Sequence, residues 1–273
     1  MSTAIAPAST ITAPTRLTAP FGAFSVLEFR ETADRWFNGV QWETLTCAPA
    51  GVIDDLNCDV EEVLGLPRDL DKLPAPYGAA SAFSVYGHYQ CSVIGRNDHL
   101  SYAEEQARLH LATREEAALE TYVEAQIRER GSVLSGLTSP WEYVAALEQF
   151  FVETAGTQGI IWTSRRLATL MADDGDLSER GGRLLTPLRT PVVAAAGVAD
   201  NFIGITPGIA GYRGPIEDFS NNAYDLMDRG QNDLFAIAQR DYLVGFEDCG
   251  VAYALPTLPA VTVTPPDTTP PAE

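Results

Sequence analysis

Lysine is almost missing from this 273-residue chain: of its 18 basic residues all but Lys72 are arginine. Any chemistry that needs an amine nucleophile is thereby confined to Lys72 or the amino terminus. A phosphate-cradling G-x-x-x-x-G-K loop is also lacking, and the glycine-rich stretches Gly204–Gly208 and Gly211–Gly214 have no dinucleotide spacing, so they read as turns. Only three histidines occur, and neither an H-E-x-x-H helix nor a G-x-S-x-G elbow is present. Cysteine is sparse as well. Cys47, Cys58, Cys91 and Cys249 form no C-x-x-C pair and are too few for a disulfide scaffold, which predicts buried free thiols rather than zinc ligands. No apolar run approaches ~20 residues, so no membrane span is expected. The start Met1-Ser2-Thr3-Ala4 lacks the charged segment and apolar core of a secretion signal, which predicts a soluble protein made in a reducing cytoplasm.

Positive charge is the other shortage. With 37 acidic and 18 basic residues the formal charge is −19, a surface that repels phosphate and disfavours DNA reading. It suits a wall that encloses DNA without gripping it. The acidic run Asp173–Glu179 has a passing likeness to a calcium loop, yet the position where a bidentate glutamate is needed is Leu185, so the run reads as solvated surface. These absences predict no catalytic residues, no cofactor and no metal.

What the chain does have is a long helix, expected from Ser101 to Gly131. Ser101-Tyr-Ala-Glu104 reads as a capping box and Gly131 as a left-handed terminator, with no proline or glycine between. About 30 residues at 1.5 Å per residue make a rod of roughly 45 Å. Ala103, Ala107, Leu111, Ala118, Tyr122 and Ala125 fall near one narrow stripe, predicting close but shallow packing. Glu104–Arg108 and Glu124–Arg128 have ion-pair spacing and mark solvent-facing sides. A second capping box, Ser139-Pro-Trp-Glu142, opens a helix from Pro140 to Ala155 with Trp141, Val144, Leu147, Phe150 and Phe151 in the core. Ile160–Trp162 reads as a buried strand, followed by a helix from Ser164 to Asp174 capped by Thr163. Short strands are expected at Arg183–Leu188, Pro191–Val198, Asn201–Thr206, Phe235–Phe246 and Val251–Leu255, with Asp248–Gly250 as a turn.

Ahead of the rod lie about a hundred helix-poor residues. Residues 1 to about 20 are Ala/Thr/Pro-rich and expected to be extended, or mobile until something binds them, and Phe21–Phe29 reads as strand-like. Trp36, Phe37, Val40 and Trp42 form a dense aromatic cluster, either a local core or an arm that buries against a neighbouring subunit. Residues 48–81 read as a loop or projecting hairpin with one helical turn near Val60–Leu64. Ala82–Ile94 reads as one strand, or two broken at Gly87, with His88 a packed or interface histidine. Tyr86 and Tyr89 join Trp36, Phe37 and Trp42 as candidate contacts between subunits. The tail Thr262–Glu273, with four prolines, is expected to be disordered.

Three stretches carry a family resemblance: Gly39-Val-Gln-Trp42-Glu-Thr-Leu-Thr-Cys47, Phe83-Ser-Val-Tyr86-Gly-His-Tyr-Gln-Cys91, and Ala238-Gln-Arg240-Asp-Tyr242-Leu-Val244 leading to Cys249-Gly250-Val-Ala252. In wording and order they resemble the major capsid proteins of tailed bacteriophages, in the style of actinobacterial phages; encapsulins share that fold. The resemblance implies an α+β fold: an N-terminal arm (1–45), an extended loop region (46–100), a spine helix with the first part of a peripheral domain (101–159), an axial domain (160–230), return strands of the peripheral domain (231–260) and a disordered tail (261–273). It implies a non-enzymatic, icosahedral-shell subunit that assembles with copies of itself into pentamers and hexamers around double-stranded DNA. Its further partners would be a portal and scaffolding or decoration proteins, and its place the virion, assembled in the host cytoplasm. Some family members crosslink subunits through a lysine, for which Lys72 is the candidate here. An encapsulin-type compartment, or a connector or tail component, is the alternative.

Overall fold

The computed structural model describes residues 19–30, 35–43, 77–92, 99–220 and 233–258. Helix α1 runs from His99 to Arg130, 32 residues or about 48 Å. It starts two residues before Ser101, which therefore lies inside the first turn and is not the cap; Glu104 accepts a 2.7 Å hydrogen bond from the Ser220 hydroxyl. At the other end Gly131 is not left-handed. A Cβ there would stand 2.5 Å from the Ile127 carbonyl oxygen and 3.2 Å from Val251, so close approach, not backbone angle, calls for glycine.

The buried stripe of α1 is Ala103, Ala107, Leu111, Leu119, Val123 and Ile127. The expected second half fails: Ala118 and Ala125 are exposed and Tyr122 is half-buried. Residues four apart advance by about 40° beyond one turn, so a stripe built on fours winds around the helix. The winding has a structural counterpart, because the rod lies on one sheet with its first half and on another with its second.

The first sheet has the order β1-β11-β12-β4, with β1 Phe29–Arg30, β4 Ala82–Ser92, β11 Ala210–Ser220 and β12 Asp233–Gly245. Strand β4 passes through Gly87 unbroken, opposite Ala238 of β12. A Cβ on Gly87 would fall 2.3 Å from the Leu111 amide nitrogen and 2.5 Å from the Ala107 carbonyl oxygen. Glycine and alanine thus let backbone lie on backbone, the shallow packing that the alanine-rich first half of the stripe implies. Beside this sheet a two-stranded ribbon, β2 Val40–Glu43 and β3 Tyr77–Ala80, holds Trp36 against Ala80 and Leu243. Phe21–Phe29 is mostly not a strand. It contains a 3-10 turn at Ala23–Ser25, because the amides of Ala23 and Phe24 bind side chains of α1 instead of a strand ladder.

The second sheet has seven strands in the order β5-β13-β10-β6-β9-β8-β7. These are β5 Ser132–Val133, β6 Ile160–Ser164, β7 Ser178–Arg180, β8 Arg183–Leu185, β9 Pro191–Ala195, β10 Ile203–Thr206 and β13 Ala252–Ala254. Helix α2, Pro140–Ala155, begins with the expected Ser139–Glu142 capping box and ends at left-handed Gly156. Val144, Leu147 and Phe151 are buried, whereas Trp141 and Phe150 are partly buried. Helix α3, Arg165–Asp173, is capped by Ser164 and not by Thr163, which is buried in β6. The strands alternate strictly: Ile161, Val192, Ala194, Ile203 and Ile205 pack with α2 and α3, while Trp162, Val193 and Ala195 pack with α1.

Residues 140–155 therefore share a core with 160–206, and 210–220 belong to the sheet that carries the first half of α1. Cys249 corrects the free-thiol expectation: it is disulfide-bonded, to a partner outside the described side chains. It lies half-exposed in the turn after β12, not sheltered in the core. Lys72, Cys47, Cys58, Val60–Leu64, residues 1–18 and the tail lie outside the described residues, as do the side chains of Phe37 and Cys91.

Candidate functional site

The expected arm is bound to its own chain over residues 19–30. Glu116 and Glu120 of α1 do most of this, and Glu124, four residues further on, holds the loop at Ala199 instead. Glu116 accepts from the amide of Phe24 at 2.8 Å, and Glu120 accepts from Ala23 at 3.0 Å with one oxygen and from Ala196 and Gly197 at 2.7 and 2.9 Å with the other. Glu124 accepts from Ala199 at 2.9 Å and pairs with Arg128. Glu120 is fully buried and Glu124 is 8% exposed, so this face is not the solvent-facing side expected. Burial pushes the Glu120 carboxyl up, against the pull of its three backbone donors. The signal for these residues was in the sequence, as glutamates one position from Leu119 and Val123 on the buried stripe.

Arg165 and Arg183 reinforce the arm, donating to the carbonyls of Pro20 and Ser25 at 2.8 and 3.1 Å. The Glu124–Arg128 pair forms as expected, whereas Arg108 is redirected from Glu104 to Asp218 on β11. Beneath Phe83, Tyr242 donates to Glu115 at 3.1 Å, and Glu115 also accepts from Arg240. Burial of the Tyr242 phenol pushes it up to about 12.

The candidate contact residues separate. Trp36 is 3% exposed within its own chain and stacks on Tyr212, and Trp42 lies half-buried over Gly78 and Gly245. Tyr89 meets Tyr102 edge-on at 5.8 Å between ring centres. Tyr86 is different, 62% exposed on the face of β4 turned away from α1. Strand register extends that face: Tyr86 lies opposite Gln239, and Ile237 lies between His88 and Phe219. Phe219 and Phe235 are also exposed, so an apolar face crosses β11, β12 and β4. His88 and His110 sit 5.6 Å apart, with His110 Nδ1 against the His88 carbonyl. Among the described residues no three His, Cys, Asp or Glu side chains converge as a metal site would require, and no helix is long and apolar enough to cross a membrane.

No family model and no curated protein matches the sequence. Solved structures do. A chain of Mycobacterium phage Che8 is 13% identical with a TM-score of 0.57, covering 93% of this chain and 98% of that one. The capsid of an empty GTA particle is 9% identical with a TM-score of 0.53, covering 93% and 96%. An encapsulin complex from Synechococcus elongatus is 12% identical with a TM-score of 0.50, covering 92% of each. The α+β fold implied by the order of segments is the fold found: this chain has the architecture of the major capsid proteins of phages.

Proposed function

We propose that this capsid-fold chain is the structural subunit of an icosahedral phage shell, assembling into pentamers and hexamers around double-stranded DNA. The observation that carries the reading is end-to-end coverage: the likeness to a phage chain and to a GTA capsid extends over 93% of this chain and 96–98% of theirs. The exposed apolar face on β4, β11 and β12 supports it, since such faces are characteristic of association surfaces. Tyr86 is the contact residue that this face favours, with Trp42 at its flank and Trp36 supporting the ribbon from inside; Tyr89, on the α1 side of β4, and Phe37 and the crosslink candidate Lys72 remain part of the proposal. The −19 charge suits a wall that does not hold on to its genome. The subunit acts without catalysis, in the virion, after assembly in the host cytoplasm with a portal and scaffolding or decoration proteins.

The test is electron microscopy of the purified chain. Closed shells of uniform diameter are the expected result, and co-expression with the portal and packaging proteins of the same genome should fill them with DNA. Shells that load an enzyme cargo and never take a portal would favour an encapsulin-type compartment. Small rings would favour a connector, and a monomer at all concentrations would end the shell reading.

A further inference from the structure

We infer that His88 and His110 together hold one divalent transition cation at the edge of the first sheet, an inference that stands apart from the shell reading above. The backbone dictates the pairing. Strand β4 is the terminal strand of its sheet, and at Gly87 the Leu111 amide and the Ala107 carbonyl of α1 leave no room for a Cβ. So close an approach brings the neighbouring residues together. His88, next along the strand, and His110, next to Leu111 on the rod, have ring centres 5.6 Å apart and ring planes at 64°. Both residues are exposed, so a hydrated ion reaches them from solvent.

The tautomer of one ring is set. His110 Nδ1 lies 3.1 Å from the His88 carbonyl oxygen. A carbonyl only accepts, so Nδ1 carries the proton and Nε2 of the neutral ring keeps its lone pair. Metal-binding imidazoles are held in this way, one nitrogen donating to a backbone carbonyl while the other meets the cation. The His88 ring makes no hydrogen bond among the described residues, so its nitrogens are available. Two imidazoles bound at about 2.0–2.1 Å to one tetrahedral ion have ring centres about 5 Å apart, a separation that a small turn of either exposed ring supplies.

The donor set selects the ion. Imidazole suits Zn2+, Ni2+ and Cu2+, whereas Mg2+ and Ca2+ require oxygen. Among the described residues no third His, Cys, Asp or Glu side chain converges here, so water completes the coordination and the site is weaker than a closed four-ligand one. The net charge of −19 favours a cation at the surface. Once bound, the ion ties β4 to α1 at the place where their packing is backbone on backbone.

The test is a zinc titration of the full chain, read by calorimetry and by melting. One site is expected in the wild type and in His99→Ala, which alters the remaining histidine at the start of α1. His88→Ala and His110→Ala should each lose about tenfold or more in affinity, since losing a ligand costs at least as much as losing the group that orients one. Zinc at one hundred times its Kd should raise the wild-type Tm by about 5–10 °C and that of either variant by less. His110→Gln, which keeps a donor for the His88 carbonyl, should bind no better than His110→Ala; recovery of binding in it would make the role of His110 structural and overturn the inference. With Cu2+ in place of zinc, electron paramagnetic resonance should show nitrogen couplings from two imidazoles in the wild type and from one in each single variant. Zinc affinity in the wild type equal to that of His88→Ala or His110→Ala, through binding elsewhere or through none, also overturns the inference and leaves the shell reading standing.

Discussion

Glu120 offers the sharpest test of how the rod organises the molecule. Its two oxygens serve opposite sides: one takes the Ala23 amide of the arm, the other the amides of Ala196 and Gly197. Only a carboxylate accepts on both. In Glu120→Gln the amide oxygen can keep the pair at 196 and 197, but its NH2 then faces the Ala23 amide and orphans it, at a cost of about 1–3 kcal/mol. Glu120→Ala orphans all three donors and leaves a void, so roughly 3 kcal/mol or more is expected. For a chain of this size that is a fall in Tm of about 6–12 °C. Differential scanning fluorimetry measures it, and limited proteolysis should cut the alanine variant, but not the wild type, within residues 19–28. The pH dependence follows from the raised carboxyl: its stabilising contribution is complete below the unfolded value near 4.5 and is lost as pH rises through the folded value. Glu120→Gln should lack that slope. Equal melting of the alanine variant and the wild type, or a glutamine variant worse than alanine, would refute the donor count.

Three further outcomes are expected. Gly87→Ala should lower Tm sharply, since its Cβ would stand 2.3 Å from the Leu111 amide, where only backbone can yield, and overpacking of this kind costs about 1–3 kcal/mol or more; unchanged melting would mean that the rod does not rest on β4. Ser139→Ala should cost about 1 kcal/mol by removing the capping box of α2, read as a Tm lower by about 2–4 °C. Tyr242, held near 12 against an ordinary 10, contributes stability that is full below pH 10 and is lost as pH climbs through 12; alkaline melts of Tyr242→Phe should be flatter than wild type over that range.

Elements whose signals are local were readable from the chain. The Ser139–Glu142 box and the glycine that follows α2 satisfy their own helix ends, so the sequence carries both partners. Where the deciding partner is distant, local reading erred. Ser101 resembles a cap, yet α1 begins at His99, and Thr163 resembles a cap although the pairing of β6 with β10 buries it. Phe21–Phe29 has strand composition, but its amides are claimed by Glu116 and Glu120, 92 and 97 residues away in the chain. Tyr86 could be picked out as a candidate contact, but only the register of three strands joins it to Phe219 and Phe235.

The wandering stripe of α1 and the glutamates beside it belong to one arrangement. A rod with a straight apolar seam can serve a single surface; this one turns its seam from the glycine and alanine face of β4 and β12 to Trp162, Val193 and Ala195 of β6 and β9. Where the seam passes between the two sheets the neighbouring chain is loop, with amides that no strand can satisfy. Glu116, Glu120 and Glu124 stand at that passage and take five of them. The carboxylates thus brace the passage where α1 crosses from one sheet to the other, beside the apolar core that both sheets share along it, and the 3-10 turn of the arm is held there too.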